Sequence, residues 1–311
     1  MKKSLWLLFF FLFSCTGEQE TSQFDYLAKL DTKILELVAA VAIDYSEPVE
    51  PSGLIMRNDS LFTVSDDHDH TIFYLDVDLE NKTGRLIPFI KFEAPELDGI
   101  DFLDFEGITV DPAGNFYLVS EQAFRILKIS AGGQIVEWIT PNLKPFGEKA
   151  GLFQRRNANF EALTRIEGNQ FVLCAERQPR GMIRLDTGTM PQSIVATKQD
   201  HSILPAVGKR TPDYAGLHFD GTHLFALERA IGAVTQIDLS DKAITETALW
   251  TYAHVENDSA WRYEEMEYGH AEGLFLDDDF VYMVLDNNGA ARQNDKNDTR
   301  PVLFIFNRPE N

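Results

Sequence analysis

Eight carboxylates recur in this chain at positions set by a repeated phrase, and carboxylates gathered in that way can bind a cation or share protons. The phrase is a small or acidic residue, then Gly or Ala, then an apolar residue: Ser52-Gly53-Leu54, Glu106-Gly107-Ile108, Glu161-Ala162-Leu163, Ala215-Gly216-Leu217 and Glu272-Gly273-Leu274. A second acid follows each central small residue by 12 to 14 positions: Asp66, Glu121, Glu176, Glu228 and Asp286. So many like charges around one opening repel, raise one another's pKa, or are neutralised by something positive. Three partners could do this. Arg177 and Arg229 directly follow two of the acids, with Arg125, Arg180 and Arg292 close in sequence to others. A hard cation is the second, because Asp, Glu and Asn oxygens suit Ca2+ better than Zn2+, which favours His and Cys. A cationic organic ligand is the third. The expected metal ligands are Glu106, Glu161 and Glu272. The expected ligand-binding set around them is Asp66, Glu121, Glu176, Arg177, Glu228, Arg229, Asp286 and Asn287.

Other clusters carry less chemistry. Ser65-Asp66-Asp67-His68-Asp69-His70 could extend a metal site or supply an acid-base group. Asp277-Asp278-Asp279 falls between two short apolar runs and reads as a turn signal. The chain holds no Gly-x-Ser-x-Gly, no phosphate-binding glycine loop and no His-Glu-x-x-His. Cys174, between Leu173 and Ala175, reads as a buried small hydrophobe.

The elements that must position these acids follow from the period. The central small residues are 54, 55, 54 and 57 apart, a spacing that signals repeat architecture. In the third copy, Leu163 to Ile166, Phe171 to Ala175, Met182 to Asp186 and Ser193 to Thr197 are short apolar runs between turn residues. Four short strands per unit predict an all-β fold, a β-propeller of five four-stranded blades, with six as the alternative. The last copy has three strands, and the apolar run 34–43 is expected to supply its fourth and remove an open edge. First-to-second-strand turns are tight throughout. The long connections gather on the opposite face, which is where a ligand should sit.

The ends and composition bound the setting. Lys2 and Lys3, the apolar stretch Leu5 to Phe13 and Leu12-Phe13-Ser14-Cys15 read as a lipoprotein signal over 1–15, with lipidation at Cys15. Residues 16–24 form a polar tether and 25–311 a single domain. The expected setting is therefore the bacterial cell envelope, on the outer membrane or a periplasmic face, with the bilayer as partner through acylated Cys15. With 49 acidic and 28 basic residues, the net charge of −21 disfavours nucleic acid and favours cationic or metal-bridged small ligands. A monomer is expected.

Asp104-Phe105-Glu106-Gly107-Ile108, Asn159-Phe160-Glu161-Ala162-Leu163, Ala175-Glu176-Arg177 and Ala271-Glu272-Gly273-Leu274 resemble the repeated phrases of the SdiA-regulated family. Leu227-Glu228-Arg229, Leu285-Asp286-Asn287-Asn288-Gly289 and Thr299 to Phe304 resemble equally the family named esterase-like activity of phytase. The similarity covers about residues 45 to 308, and the chain departs from the phrase at Ser52, Ala162 and Ala215. The resemblance implies a propeller, export and calcium. Two function classes stay open, and the scattered rather than clustered arginines favour the first, with the second as its alternative. One is a lipid-anchored binding module with calcium at an acidic mouth. The other is a calcium-dependent hydrolase of phosphate or carboxylic esters, with Glu106 or Glu161 as base and Arg177 or Arg229 as anion clamps.

Overall fold

Each repeat folds into an antiparallel meander, because turn residues cut its apolar runs after three to nine positions. The computed structural model describes residues 31–206, 208–240 and 243–310. The leader ending at Cys15 and the tether lie outside these residues. Two strands, β1 (Asp31–Ile34) and β2 (Leu37–Asp44), precede the repeats. The first repeat is β3 (Pro51–Arg57), β4 (Ser60–Ser65), β5 (Thr71–Asp78) and β6 (Thr83–Lys91). The second is β7 (Phe105–Val110), β8 (Phe116–Ser120), β9 (Arg125–Ile129) and β10 (Val136–Trp138). The third is β11 (Phe160–Arg165), β12 (Gln170–Ala175), β13 (Arg180–Asp186) and β14 (Ser193–Gln199). The fourth is β15 (Gly216–Phe219), β16 (Leu224–Glu228), β17 (Ala233–Leu239) and β18 (Ile244–Thr251). The last is β19 (Ala271–Leu276), β20 (Phe280–Leu285) and β21 (Val302–Asn307).

The N-terminal apolar run, expected as one strand, is two. Leu35 is fully buried and donates its N–H to Thr251 O, which breaks the run. β1 adds to the outer edge of the fourth repeat beside β18. β2 lies antiparallel to β21, from Leu37 opposite Phe306 to Ala42 opposite Val302. Its far end also runs parallel to β6, with Ala42 to Asp44 beside Thr83 to Arg85. The last and first repeats thus share one mixed eight-stranded sheet.

Packing explains the gradient of hydrophobicity across each repeat. Second strands such as β8 are buried at every position, whereas outer β10 and β14 are largely part-exposed. A strand covered on both faces reads as a continuous apolar run, and an outer strand does not. Among the described residues the core divides into five clusters, one at each junction between consecutive repeats. The cluster around Phe73, Leu75, Val284 and Leu303 joins the last to the first. First strands touch in a cycle, β3 on β7, β7 on β11, β11 on β15, β15 on β19 and β19 on β3. The small residue of the phrase sits at these contacts. A Cβ on Gly53 would lie 2.8 Å from Gly107 Cα, and one on Gly107 2.8 Å from Ala162 Cα.

The acid of the phrase has a backbone cause. Pairing between first and second strands slips by one residue between Phe105 and Gly107, between Phe160 and Ala162, and between Ala271 and Gly273. The extra residue is in each case the acid: Glu106, Glu161 and Glu272. A bulge of this kind bends the strand and re-aims one side chain. In the fourth repeat, where Ala215 replaces the acid, Gly216 to Phe219 pair with Leu227 to Leu224 without a slip. On the opposite face, Asp277 accepts the N–H groups of Asp279 and Phe280 and the Tyr282 hydroxyl, which fixes the Asp277-Asp278-Asp279 turn.

Candidate functional site

The three bulge acids open into one cavity of about 260 Å3, which Asp66, Glu121, Glu176, Asp286, Arg177 and Arg229 also line. The cavity has two unlike halves.

One half is purely acidic. Oxygens of Asp66, Asp104 and Glu106 lie within 4.8 Å of one another, and those of Glu50, Asp66 and Asp67 do the same. The charges acting on Glu106 are all carboxylates: Glu161, Asp104, Asp66 and Glu272. Burial and then this repulsion push its carboxyl well above the usual range. Asp66 is pushed up to about 9 by burial and then by Glu50 and Asp286. Glu121 is raised to about 8 by burial and then by its hydrogen bond with Asp104. Gln122 Nε2 donates to both Asp104 and Glu121, at 3.0 and 2.9 Å. Clustered hard oxygens of this kind are what calcium takes as ligands. They fit a divalent cation held by Asp66, Asp104 and Glu106, with Glu50 and Asp67 behind.

The other half is organised by Arg229, which is 5 % exposed. Its Nε meets Asp213 Oδ2 at 2.8 Å, and its Nη2 meets Glu176 Oε1 at 2.8 Å and Glu161 Oε2 at 3.5 Å. Its Nη1 pairs with Glu272. One guanidinium therefore serves four carboxylates, drawn from the third repeat, the loop after it, and the last repeat. Even so, burial holds Glu161 up at about 8, with Arg229 pulling the other way. Arg177 pairs with Glu176 Oε1 and lies over the Tyr268 ring at 5.2 Å. Glu176 Oε2 is buried and has no hydrogen-bond partner among the described residues.

Of the expected metal trio, Glu106 joins the acidic half, while Glu161 and Glu272 face Arg229. Two residues of the expected ligand-binding set lie elsewhere. Glu228 is fully buried, pairs with Arg180 at 2.5 Å and accepts from Ser202 Oγ at 2.6 Å. Asn287 donates to the carbonyls of Ala290 and Thr299 and pins the last long loop. Asp286 stays at the cavity, raised to about 7 chiefly by burial. Arg125 donates to Thr140 O, and Arg292 stacks on Tyr263 at 4.0 Å. His68 turns from the cavity, bonded to Pro48 O and packed on Phe73. Cys174 is buried, its thiol raised by burial.

Sequence reasoning passes over a third recurring position, two residues before the phrase: Glu50, Asp104, Asn159, Asp213 and His270. The carbonyls of Asp104, Asn159 and His270 accept the N–H of Glu121, Glu176 and Asp286 at 2.8, 2.9 and 2.8 Å. Where the phrase lacks its acid, at Ser52 and Ala215, this earlier position supplies one, as Glu50 and Asp213.

The phytase-like family model, described as esterase-like activity of phytase, matches residues 51–289. The chain belongs to this family. Of the two families it resembles in sequence, this is the one the match supports. No curated protein matches the sequence. Among solved structures, Myxococcus xanthus glutaminyl cyclase is similar to this phytase-like chain with a TM-score of 0.54. The identity is 10 %, covering 90 % of this chain and 100 % of that one. Staphylococcus aureus virginiamycin B lyase is similar with a TM-score of 0.46 at 13 % identity, covering 88 % and 99 %. Likeness at such identity concerns the fold alone. With the cyclic contact of first strands, the likeness to the cyclase identifies the phytase-like chain as an all-β protein of propeller type.

Proposed function

We propose that this phytase-like protein is a five-bladed propeller whose last blade is completed by β2. It is exported and anchored through acylated Cys15 to the bacterial cell envelope. Its mouth binds one calcium ion and hydrolyses an ester there. The observation that carries the cation is the juxtaposition of Asp66, Asp104 and Glu106, whose neighbouring charges are themselves negative. Five core clusters and the cyclic first-strand contacts support the blade count. Family membership supports hydrolysis.

Calcium would polarise the ester and steady the charge that develops on its oxygen. The protein's own part is to hold protons nearby. Glu121 and Glu161, both raised to about 8 chiefly by burial, are the carboxyls here suited to act as general acid or base. A second reading, a calcium-dependent binding module without turnover, is favoured by one observation: the cavity's arginines are engaged by its own carboxylates.

The test is calcium titration by calorimetry on the full chain in detergent, with ester turnover followed at a pH-stat. One calcium per chain is expected, lost in Asp66→Asn with Glu106→Gln, and turnover is expected to stop with a chelator. Absence of calcium uptake overturns the cation site. Uptake without turnover on any ester leaves the binding module. Cys15→Ser is expected to move the protein from the membrane to the soluble fraction.

A further inference from the structure

We propose that the ligand of this mouth carries a protonated amine, received by Glu176 beside Tyr268, and that phosphate esters are turned away. The inference rests on the reading of the cavity as an ester site and names the charge of what enters it.

An arginine recognises a phosphate by forking free donors onto it. Two arginines line this cavity, and both are taken. Arg229 spends Nε and both terminal nitrogens on Asp213, Glu161, Glu176 and Glu272. Arg177 spends one terminal nitrogen on Glu176 and the other on Asn157 O at 3.4 Å, and its plane lies on Tyr268.

The vacant group is an acceptor. Both arginines meet Oε1 of Glu176, so among the described residues Oε2 is left without a donor, on a residue that is 2 % exposed. A buried carboxylate oxygen without a donor is unfavourable by more than an ordinary hydrogen bond is worth. An ammonium group supplies the missing donor, the charge of Glu176 being met already by Arg177 and Arg229. Glu121 and Glu265 line the same cavity, and the half-exposed ring of Tyr268 borders it. An aromatic face beside carboxylates attracts a cation, as Arg177 over the Tyr268 ring already does. The net charge of −21 draws a cationic ligand and repels an anionic one before contact.

The test uses three probes on the calcium-loaded full chain: β-alanine ethyl ester, ethyl propanoate, which is the same skeleton without the amine, and ethyl phosphate. Binding is read by calorimetry, so the outcome does not depend on turnover. The cationic ester is expected to bind about tenfold more tightly than its neutral twin, the effect of one charge-assisted hydrogen bond. Ethyl phosphate should not bind. Glu176→Gln should bring the ratio of the two esters close to one with calcium uptake unchanged. Tyr268→Leu, at a half-exposed position that does not threaten folding, should lower the ratio in the same direction. Equal binding of the two carboxylic esters, or tighter binding of ethyl phosphate, would overturn the proposal. Amine preference without calcium uptake would sink the cation site and leave this inference standing. Calcium uptake without amine preference would do the reverse.

Discussion

Asp69, in the loop after β4, holds Asp104 of the next repeat by accepting its backbone N–H at 2.7 Å, and takes that of Leu103 at 2.6 Å with its other oxygen. Asp104 has φ +58, a left-handed conformation unusual for a residue with a side chain. The clamp fixes this conformation and so places the Asp104 carboxylate against Asp66 and Glu106. Asp69 is thus a positioning residue for the proposed cation, one step removed from it. Asp69→Ala is expected to weaken calcium binding about 10- to 100-fold, the usual range for lost outer support, with one ion per chain retained. Unchanged affinity in a calorimetric titration would rule out this role.

A second buried ionic cluster has no part in the mouth. Arg180 is fully buried between Glu228 and Glu246, with a nitrogen 2.5 Å from each, and its guanidinium lies 4.2 Å from the Tyr214 ring centroid. It ties β13 of the third repeat to β16 and β18 of the fourth. Removing one partner of a buried ionic group strands the others, at about 3–5 kcal/mol. Arg180→Met is therefore expected to lower the urea midpoint strongly while the folded fraction binds calcium as before. A loss of calcium affinity with little loss of stability would contradict this assignment.

The architecture and half of the site were legible for one reason: the repeat period copies both. Gly53, Gly107 and Gly273 stand where first strands crowd together, so the letter itself is constrained and recurs. Glu106, Glu161 and Glu272 recur because each is the extra residue of a bulge. The position two residues earlier escaped notice because its shared task is done by the backbone carbonyl. Asp104, Asn159 and His270, whose carbonyls do it, therefore need not look alike. Glu228 shows the opposite limit. It occupies the same place in the repeat as Glu176, yet it turns to Arg180, held there with Glu246 of β18 and with Ser202 from a long connection whose residues follow no repeat. The break at Leu35 was also hidden, since an apolar run does not reveal which of two sheet edges each half will join.

The crowding at the small residue of the phrase predicts a sharp intolerance. At Gly107 an added Cβ would lie 2.7 Å from Leu163 N and 2.8 Å from Ala162 Cα, both backbone atoms that a rotamer change cannot move. Gly107→Val must therefore push apart β7 and β11 beside the Glu106 and Glu161 bulges. A destabilisation of about 1–3 kcal/mol is expected for such overpacking, with calcium binding weakened as well. The control is Gly168→Ala, in an open turn where the added carbon meets nothing within 4 Å and only the φ of +53 resists it. Equal unfolding midpoints for Gly107→Val and wild type would refute the close packing.

His218 gives the protein an acid limit of its own. The ring is buried against Phe275, with centroids 4.7 Å apart, and burial pushes its pKa down to about 4. Asp220 and Asp277 pull the other way, while the Arg308 guanidinium adds to the depression. In the unfolded chain the same ring titrates near 6.5. Between these values the unfolded chain binds a proton that the folded one does not, so stability falls as pH falls. The contribution is complete above about pH 6.5 and is lost on the way down to about 4, up to roughly 3 kcal/mol for the full span. The carboxyls of the mouth act with the opposite sign. Asp66 and Glu121 are raised, so their contribution declines as pH rises. A bare pH profile mixes the two, and the difference between wild type and His218→Phe isolates the histidine. Melting temperatures at pH 7, 5.5 and 4.5 should converge or cross as pH drops, the variant losing less than wild type. Parallel curves would mean that His218 is not buried in its neutral form.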